Sequence, residues 1–317
     1  MSPDGGLVAG VDVGKTGCRV TIADRDGGRL QTVEGPGADG LAQPTGVDDA
    51  TAVVTGLLDK VIASLPTAGR RVEVMAVSAA GAKAGGDASD ALAVRLHQRT
   101  GIGQIVMTTD AVAAHAGALA GAPGAVLAVG TGTVALGIGP GGQVCHVDGW
   151  GQWLGDEGSG AWIGREALRA VVRALDGRGP ETILVSAAQL RFGTLGSLPA
   201  ALAITPELPR TSAAFAPSVV ECAAAGDAVA GDILDRAVAA WVESTVVAAR
   251  AAGTDVVACV GGLAAIGRLR DAWRRGLPPE FDLRDALGDA VDGAVLLAVR
   301  TDLPHESQVQ RHAWSGP

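Results

Sequence analysis

The sequence predicts an α/β protein of two domains, and three observations carry that prediction. The chain has 317 residues, which is more than a single hydrophobic core usually serves. Apolar runs that alternate like strands are interleaved with segments of helical periodicity. Three strands joined by glycine turns occur twice, first around Gly14 and again around Gly132. A duplicated sheet unit explains this repetition, and chance similarity between hairpins is the alternative.

Composition excludes several classes of function. Hydrophobic residues make up 48% of the chain and charged residues 19%, which is a globular balance. The net charge of −9 and the lack of a Lys/Arg cluster argue against nucleic acid as a partner. Four cysteines without C-x-x-C spacing predict neither a zinc site nor a disulfide framework. The start lacks a secretion signal and the longest apolar run, 125–138, is too short for a membrane span, so we expect a cytoplasmic protein.

Strands and helices alternate in the first part of the chain. Apolar runs predict strands at 7–13, 20–22, 30–33, 72–77 and 105–107. Helical patterns are expected at about 48–65, at 91–97 and from Asp110 onward.

The same succession returns in the second part. Strands are predicted at 125–129, 134–138, 143–147 and 256–260. Helices are predicted from about Ser159, from Gly226-Asp227 and over 294–298, whereas 180–209 is a mixed segment. We expect residues 302–317 to form a tail, whose polar part, 305–317, is frayed.

The most unusual stretch is the loop 149–160. It holds five glycines in twelve residues, so its backbone can come close to a ligand. Two indoles, Trp150 and Trp153, and the carboxylates of Asp156 and Glu157 lie within it. Such a loop at a helix start suits a small polyhydroxylated ligand, whose flat faces pack on rings and whose hydroxyls donate to carboxylates. The alternative is a tight loop whose tryptophans belong to the core.

A glycine turn follows the first predicted strand. Residues 9–16 match a loose phosphate-loop pattern, but that loop requires a helix after it, and an alternating strand follows here. We interpret Gly14, Lys15 and Thr16 as a hairpin tip that presents N–H groups and a hydroxyl to a phosphate. Asp12 would then reach Mg²⁺ through water. An exposed lysine without a role is the alternative for Lys15.

A second turn of the same chemistry follows the strand at 125–129 and consists of Gly130, Thr131, Gly132 and Thr133. Two such turns in one chain indicate a nucleotide clamp. Gly261-Gly262, after a buried strand, leaves room for a flat base such as adenine, and a plain turn is the alternative.

Asp110 stands where a strand ends and a helix begins, which is where α/β sheets present groups to ligands. A helix cap is the alternative for this residue. No metal site is predicted from the histidines. We expect four of them on helix or tail surfaces and the fifth within a strand: His97, His115, His305, His312 and His146.

Taken together, these residues resemble the N-acetylglucosamine kinase and BadF/BadG/BcrA/BcrD-type ATPase family, in the sugar kinase–actin–heat-shock ATPase superfamily. The resemblance extends over about 7–298, and the stretch 149–167 is its most specific part. Asp12 to Thr16 resembles the first phosphate motif, Asp-Gly-Gly-Gly-Thr, with Val13 and Lys15 in place of glycines. Further similar motifs are Gly130–Thr133, Thr109-Asp110 (usually Asn-Asp), Gly261-Gly262 and Asp292-Gly293-Ala294.

The resemblance implies two actin-like (ribonuclease H-like) domains, each with a mixed sheet flanked by helices, around an interdomain cleft. The domains would be 1–118, completed by the C-terminal helix at about 290–301, and 119–289. The resemblance also implies a homodimer.

The implied activity is an ATP-dependent kinase that uses Mg²⁺ to phosphorylate an amino sugar at the 6-hydroxyl. Asp110 would be the catalytic base. The sugar would contact Ser78, Gly149, Trp150 and Asp156. N-acetylglucosamine and glucosamine are the first candidates, and N-acetylmuramic acid or another hexosamine is the alternative.

Two other classes of function remain as alternatives. An actin-like ATPase that activates a partner enzyme would hold an iron–sulfur cluster through cysteines, but the loop carries Trp and Asp instead. A sugar-responsive DNA-binding regulator would need a helix-turn-helix ahead of the first strand, where this sequence has six residues.

Overall fold

The computed structural model describes residues 6–65, 71–79, 81, 87–199 and 208–314. The chain divides into two compact units. The first consists of Met1–Gly124, Ile138–Gln143 and Arg284–Pro317, and the second of Ala125–Gly137 and Val144–Leu283. The predicted α/β class with two mixed sheets flanked by helices is confirmed.

The first unit is built on a six-stranded sheet in the order β11-β5-β4-β1-β2-β3. Its strands are β1 (Leu7–Val13), β2 (Gly17–Asp24), β3 (Arg29–Pro36), β4 (Val72–Ala79), β5 (Gln104–Thr109) and β11 (Gln310–Ala313). Its helices are α1 (Gly46–Ala63), α2 (Asp87–Thr100), α3 (Asp110–Ala118) and α10 (Ala290–Val299). β1, β4 and β5 run parallel, whereas β2, β3 and β11 pair antiparallel to their neighbours.

β1 is buried on both faces because a separate apolar cluster covers each face. Ala9 and Val11 belong to the cluster that includes residues of α1 and α2, and Val8 belongs to the one that includes α10. This burial explains why β1 reads as a continuous apolar run rather than as an alternating one.

The second unit contains a five-stranded sheet in the order β10-β9-β6-β7-β8. Its strands are β6 (Gly124–Val129), β7 (Thr133–Ile138), β8 (Val144–Asp148), β9 (Val256–Val260) and β10 (Asp282–Leu283). Its helices are α4 (Gly160–Leu175), α5 (Leu184–Phe192), α6 (Leu208–Ala213), α7 (Ala216–Ala224), α8 (Ala228–Ala252) and α9 (Gly267–Gly276). Trp241 of α8 and Trp273 of α9 are fully buried in its core.

Among the described residues, no single helix has both the length and the apolar character needed to cross a membrane. One bent pair, Leu208–Ala224 with Ala228–Ala252, satisfies that requirement only when its two helices are taken together.

The end of the chain differs from its prediction. Instead of a frayed tail, Gln310–Ala313 forms β11 at the edge of the first sheet, antiparallel to β5. Trp314 then stacks on His97, with 4.2 Å between the ring centroids. The prediction was wrong because the partners of this polar segment lie far away in sequence. Residues 315–317 of the expected tail lie outside the described residues.

The expected surface position of His115 and His305 was also wrong, because both side chains are fully buried. His115 Nε2 lies 2.9 Å from the carbonyl oxygen of Gly124, and His115 Nδ1 lies 2.8 Å from His305 Nε2. Two N–H donors, one from each ring, satisfy both contacts. Burial lowers the pKa of His115 to about 4 and that of His305 to about 3.

This pair predicts a loss of stability in mild acid. Below about pH 6.5 the unfolded chain binds protons that the folded pair excludes, so the free energy of unfolding falls as the pH drops towards 4. The loss at pH 5.5 is on the order of 1 kcal/mol per histidine. His305→Gln keeps a donor towards His115 but does not titrate, so its urea-unfolding midpoint should change less between pH 7 and pH 5.5. An unchanged pH dependence in this variant would contradict the argument.

Candidate functional site

In the first unit, three predicted site residues meet at the carboxyl ends of adjacent parallel strands. Asp12 of β1 is opposite Ser78 of β4, and Ser78 is opposite Thr108 of β5. The buried Ser78 hydroxyl donates to Asp12 Oδ1 at 2.9 Å. Asp110 follows directly after β5. This edge is where parallel sheets bind ligands. Ala80, the residue directly after β4, lies outside the described residues.

Asp110 is the first residue of α3 but does not cap it. The cap is Thr109, whose hydroxyl accepts from the Val112 N–H at 3.2 Å. The Asp110 side chain is exposed, and its Oδ1 accepts from the adjacent Ala111 N–H at 2.9 Å. Although the residue is accessible to solvent, the protein atoms packed around its carboxylate reduce its hydration and raise its pKa above the usual aspartate value, and the charge of Asp12 raises the pKa further. Such a carboxylate is a stronger base than an ordinary surface aspartate.

The turn between β1 and β2 has hairpin geometry. The Gly14 N–H donates to the Gly17 carbonyl at 2.9 Å, and the Lys15 and Thr16 side chains are exposed. Because β2 starts at Gly17, the helix that a phosphate loop requires does not follow here. The predicted hairpin is therefore present, and its contact with phosphate stays a prediction.

Arg19 of β2 is a neighbour of Asp12 that the sequence analysis missed. Its guanidinium donates to Asp12 Oδ2 at 3.2 Å and to the Asp289 carboxylate at the start of α10. The alternation of apolar and polar residues in β2 indicates that Arg19 is at a polar position. It does not predict which residues Arg19 contacts.

The hydrogen bonds that Asp12 accepts limit the way in which it could bind Mg²⁺. Both Asp12 oxygens already accept hydrogen bonds, and the described residues include no group of three or more His, Cys, Asp or Glu that could hold a metal ion. The site therefore fits a hydrated Mg²⁺ that takes most of its ligands from water and phosphate, and does not fit a full protein cage.

In the second unit, the turn Gly130–Thr133 is bonded to the start of α4. The Gly160 N–H donates to the Gly130 carbonyl at 2.9 Å, and the Ala161 N–H donates to the Thr131 carbonyl at 3.2 Å. These bonds satisfy two of the amides that a helix start otherwise leaves unpaired. The Thr133 hydroxyl is buried, whereas Thr131 is partly exposed. Of the two hydroxyls, that of Thr131 is therefore the more accessible to a ligand.

The loop between β8 and α4 holds its tryptophans in solvent. Trp150 is 75% exposed and Trp153 is 76% exposed, so these rings do not belong to the core. Gly149 and Gly151 both have positive φ, a conformation that glycine adopts without strain. The loop therefore holds both indole rings in solvent without strain at these glycines.

Asp156 lies against the turn described above. Its Oδ1 accepts from the Thr133 N–H at 3.4 Å, and a Cβ added to Gly132 would lie 3.0 Å from its Oδ2. It does not cap α4, since the Ser159 hydroxyl does so by accepting from the Trp162 N–H. Asp156 therefore joins the loop to the turn.

Asp148, the last residue of β8, was also missed by the sequence analysis. Its two carboxylate oxygens accept from the Asp156 and Glu157 N–H groups, each at 2.7 Å. A carboxylate directly before a glycine-rich loop was the available signal, but the sequence does not show which amides it accepts from.

The two glycines after β9 differ in their surroundings. Gly261 has a φ of +104°, and a Cβ on it would lie 2.2 Å from the Val129 carbonyl, so packing against β6 explains this glycine. Gly262 has nothing within 4 Å of an added Cβ. β6 and β9 are parallel neighbours, so Gly262 and the Gly130 turn share one edge of the sheet. The space beside Gly262 is open to a ligand.

Comparison with known proteins gives one family. The model of the BadF/BadG/BcrA/BcrD ATPase family matches residues 9–298. No curated protein sequence matches the chain.

Solved structures extend the comparison. A putative N-acetylglucosamine kinase from Chromobacterium violaceum is 29% identical, with a TM-score of 0.73 over 92% of this chain and 98% of that one. A putative N-acetylglucosamine kinase from Porphyromonas gingivalis is 18% identical, with a TM-score of 0.69 over 95% of this chain and 99% of that one. A ROK family glucokinase from Streptomyces griseus, in complex with glucose and AMPPNP, is 18% identical. Its TM-score is 0.55 over 92% of this chain and 98% of that one. The last two show similarity of fold alone.

The raised pKa of Asp110 predicts that this carboxylate destabilises the folded protein. Above its folded pKa the ionised group is less favourable in the fold than in the unfolded chain, and that penalty disappears as the pH falls through this pKa. Asp110→Asn should therefore have a higher Tm than the wild type at pH 8, with a difference that shrinks in acid. Calorimetry at pH 8, 6 and 4.5 checks this, and a lower Tm for the variant at pH 8 would contradict it.

Proposed function

Because the chain belongs to the BadF/BadG/BcrA/BcrD ATPase family, we propose that it phosphorylates the 6-hydroxyl of an amino sugar, N-acetylglucosamine or glucosamine. The chain is an ATP-dependent sugar kinase, and the acceptor is what this proposal adds. The observation that carries it is the grouping of Asp12, Ser78 and Asp110 at the ends of three adjacent parallel strands. The name of the Chromobacterium violaceum protein supports the amino-sugar acceptor.

Asp110 is the proposed base. Its carboxylate would accept the proton of the sugar 6-hydroxyl as that oxygen forms a bond to the γ-phosphorus of ATP. The bond from this phosphorus to the β–γ bridging oxygen breaks, and ADP leaves. Phosphoryl transfer of this kind depends mainly on alignment and charge neutralisation. A carboxylate with a raised pKa suits the proton transfer.

The remaining predicted residues have proposed binding roles. The tips at Gly14–Thr16 and Gly130–Thr133 would hold phosphates, and Gly261-Gly262 would lie beside the adenine. Asp12 would hold a hydrated Mg²⁺, which neutralises phosphate charge when bound. Gly149, Trp150, Asp156 and Ser78 would contact the sugar. The exposure of Trp150 supports its role, because an indole in solvent is available to stack on a sugar face.

The function is tested by supplying ATP and Mg²⁺ with a panel of sugars. ATP turnover should require glucosamine or N-acetylglucosamine, and ³¹P NMR should place the new phosphate on carbon 6. A 6-deoxy analogue should bind without being phosphorylated. N-acetylmuramic acid and glucose serve as comparisons through kcat/KM. If no hexosamine or hexose stimulates ATP turnover, the proposal fails. Light scattering tests the expected homodimer.

Loss of the proposed base should impair chemistry more than binding. Asp110→Asn should lower kcat by on the order of 10²-fold or more and leave the sugar Kd largely intact. In the wild type, the acidic limb of kcat/KM should lie above about pH 4, the range of an ordinary aspartate. Steady-state kinetics with calorimetric binding checks both points. A variant with wild-type kcat would remove Asp110 from the mechanism.

Loss of charge at Asp156 should impair sugar binding specifically. Asp156→Asn keeps the shape and tolerates the φ of 55° found there. Its sugar KM should rise roughly tenfold or more, because a charge-assisted hydrogen bond contributes about 1.5–3 kcal/mol. The KM for ATP should barely change. A wild-type sugar KM in this variant would leave Asp156 with a structural role alone.

A further inference from the structure

The loop proposed to bind the sugar is held by one carboxylate at its base. Asp148 Oδ1 accepts from the Asp156 N–H and Asp148 Oδ2 from the Glu157 N–H, both at 2.7 Å. We call this pair of bonds the fork; it joins the Asp148 carboxylate to two successive backbone amides on the other side of the loop. Bonds to an ionised acceptor are about twice as strong as neutral ones.

The backbone at both ends of this contact is strained. Asp148 has a φ of 61° and Asp156 a φ of 55°, and the only other described non-glycine residue with positive φ is Ala120. Such conformations are unfavourable for residues that have a Cβ and persist where the surroundings enforce them. The two bonds to Asp148 oppose this cost at Asp156, together with the Ser159 N–H, which donates to the Asp156 carbonyl at 3.0 Å.

The Asp148 carboxylate has room beneath the loop because residue 155 is a glycine. A Cβ added to Gly155 would lie 2.2 Å from Asp148 Oδ1, so a side chain at position 155 would collide with the carboxylate. On the far side of the fork, Asp156 directs its Oδ1 to the Thr133 N–H. Asp148 thus holds the backbone amide of Asp156, and the Thr133 N–H holds its carboxylate.

We propose that Asp148 is a positioning residue for sugar recognition, acting through Asp156. The proposal rests on the proposed function, which gives Asp156 its contact with sugar hydroxyls. Asp148 holds the Asp156 amide so that the carboxylate is in place before the sugar arrives. Preorganisation of this kind lowers the cost of binding.

Two substitutions separate the effect of the carboxylate from that of the backbone strain. Asp148→Asn tolerates positive φ and keeps one good acceptor, and Asp148→Gly tolerates positive φ without any acceptor. Asp176→Asn, at an exposed aspartate after α4, is the matched control.

The glycine variant should raise the sugar KM roughly tenfold, with the asparagine variant between it and the wild type. The KM for ATP should stay within about twofold, and the control should match the wild type. Hydrogen exchange at the Asp156 and Glu157 amides, measured by NMR without substrate, should be faster in the glycine variant by roughly tenfold.

A wild-type sugar KM in the glycine variant would overturn the proposal. Equal increases in both KM values together with a lower Tm would also overturn it, since they indicate a general structural role. Exchange at the two amides does not depend on catalysis. If the wild type phosphorylates no sugar, the proposed function fails, while unchanged exchange in Asp148→Gly would show separately that the fork does not hold the loop.

Discussion

The close contact between α3 and α10 is the constraint on which the first unit depends. A Cβ at Gly117 would lie 1.8 Å from the Asp289 carbonyl, and one at Gly293 would lie 1.9 Å from the Ala113 carbonyl. No side chain fits at either position, so the two helix backbones touch. α3 begins with Asp110, and α10 begins after Asp289, the partner of Arg19. Two glycines therefore fix the relative position of the proposed base and of the ion pairs behind Asp12.

In the second unit, hydrogen bonds rather than a close contact between helices hold the loop before α4 in place. The start of α4 is bonded to the turn carbonyls of Gly130 and Thr131, and Ser159 caps the helix. Trp241 is buried in α8 and donates its indole N–H to the Gly158 carbonyl at 3.0 Å. The loop is thus fixed at both ends while Trp150 remains in solvent. A polar loop can be rigid at its base and open at its tip because different residues serve the two purposes.

Local patterns were enough to predict most of the elements. The apolar run at 7–13 and the long helix beginning after Asp227 are found where expected, since burial and capping act over a few residues. Long-range pairs were not predictable. His115 and His305 lie 190 positions apart, and their contact depends on the completed fold. β11 was missed for the same reason.

The candidate site shows the same division between local and long-range information. Asp110 and Asp156 stood out because a strand-to-helix junction and a glycine loop are local signals. Asp148 and Arg19 act through partners that only the folded chain brings close. From the sequence one could therefore list candidate groups, but not the contacts that orient them.

The exposed indoles of the loop have a spectroscopic consequence. The chain has six tryptophans and no tyrosine, so its near-ultraviolet emission comes almost entirely from indoles. Trp241 and Trp273 are buried and should emit at shorter wavelength, whereas Trp150 and Trp153 face water and should emit at longer wavelength. A soluble quencher should reach the second pair far more readily than the first, with the partly exposed Trp162 and Trp314 between them. The protein thus carries an intrinsic optical reporter in the loop itself, and any molecule that covers Trp150 should register as a change in the red side of the emission band.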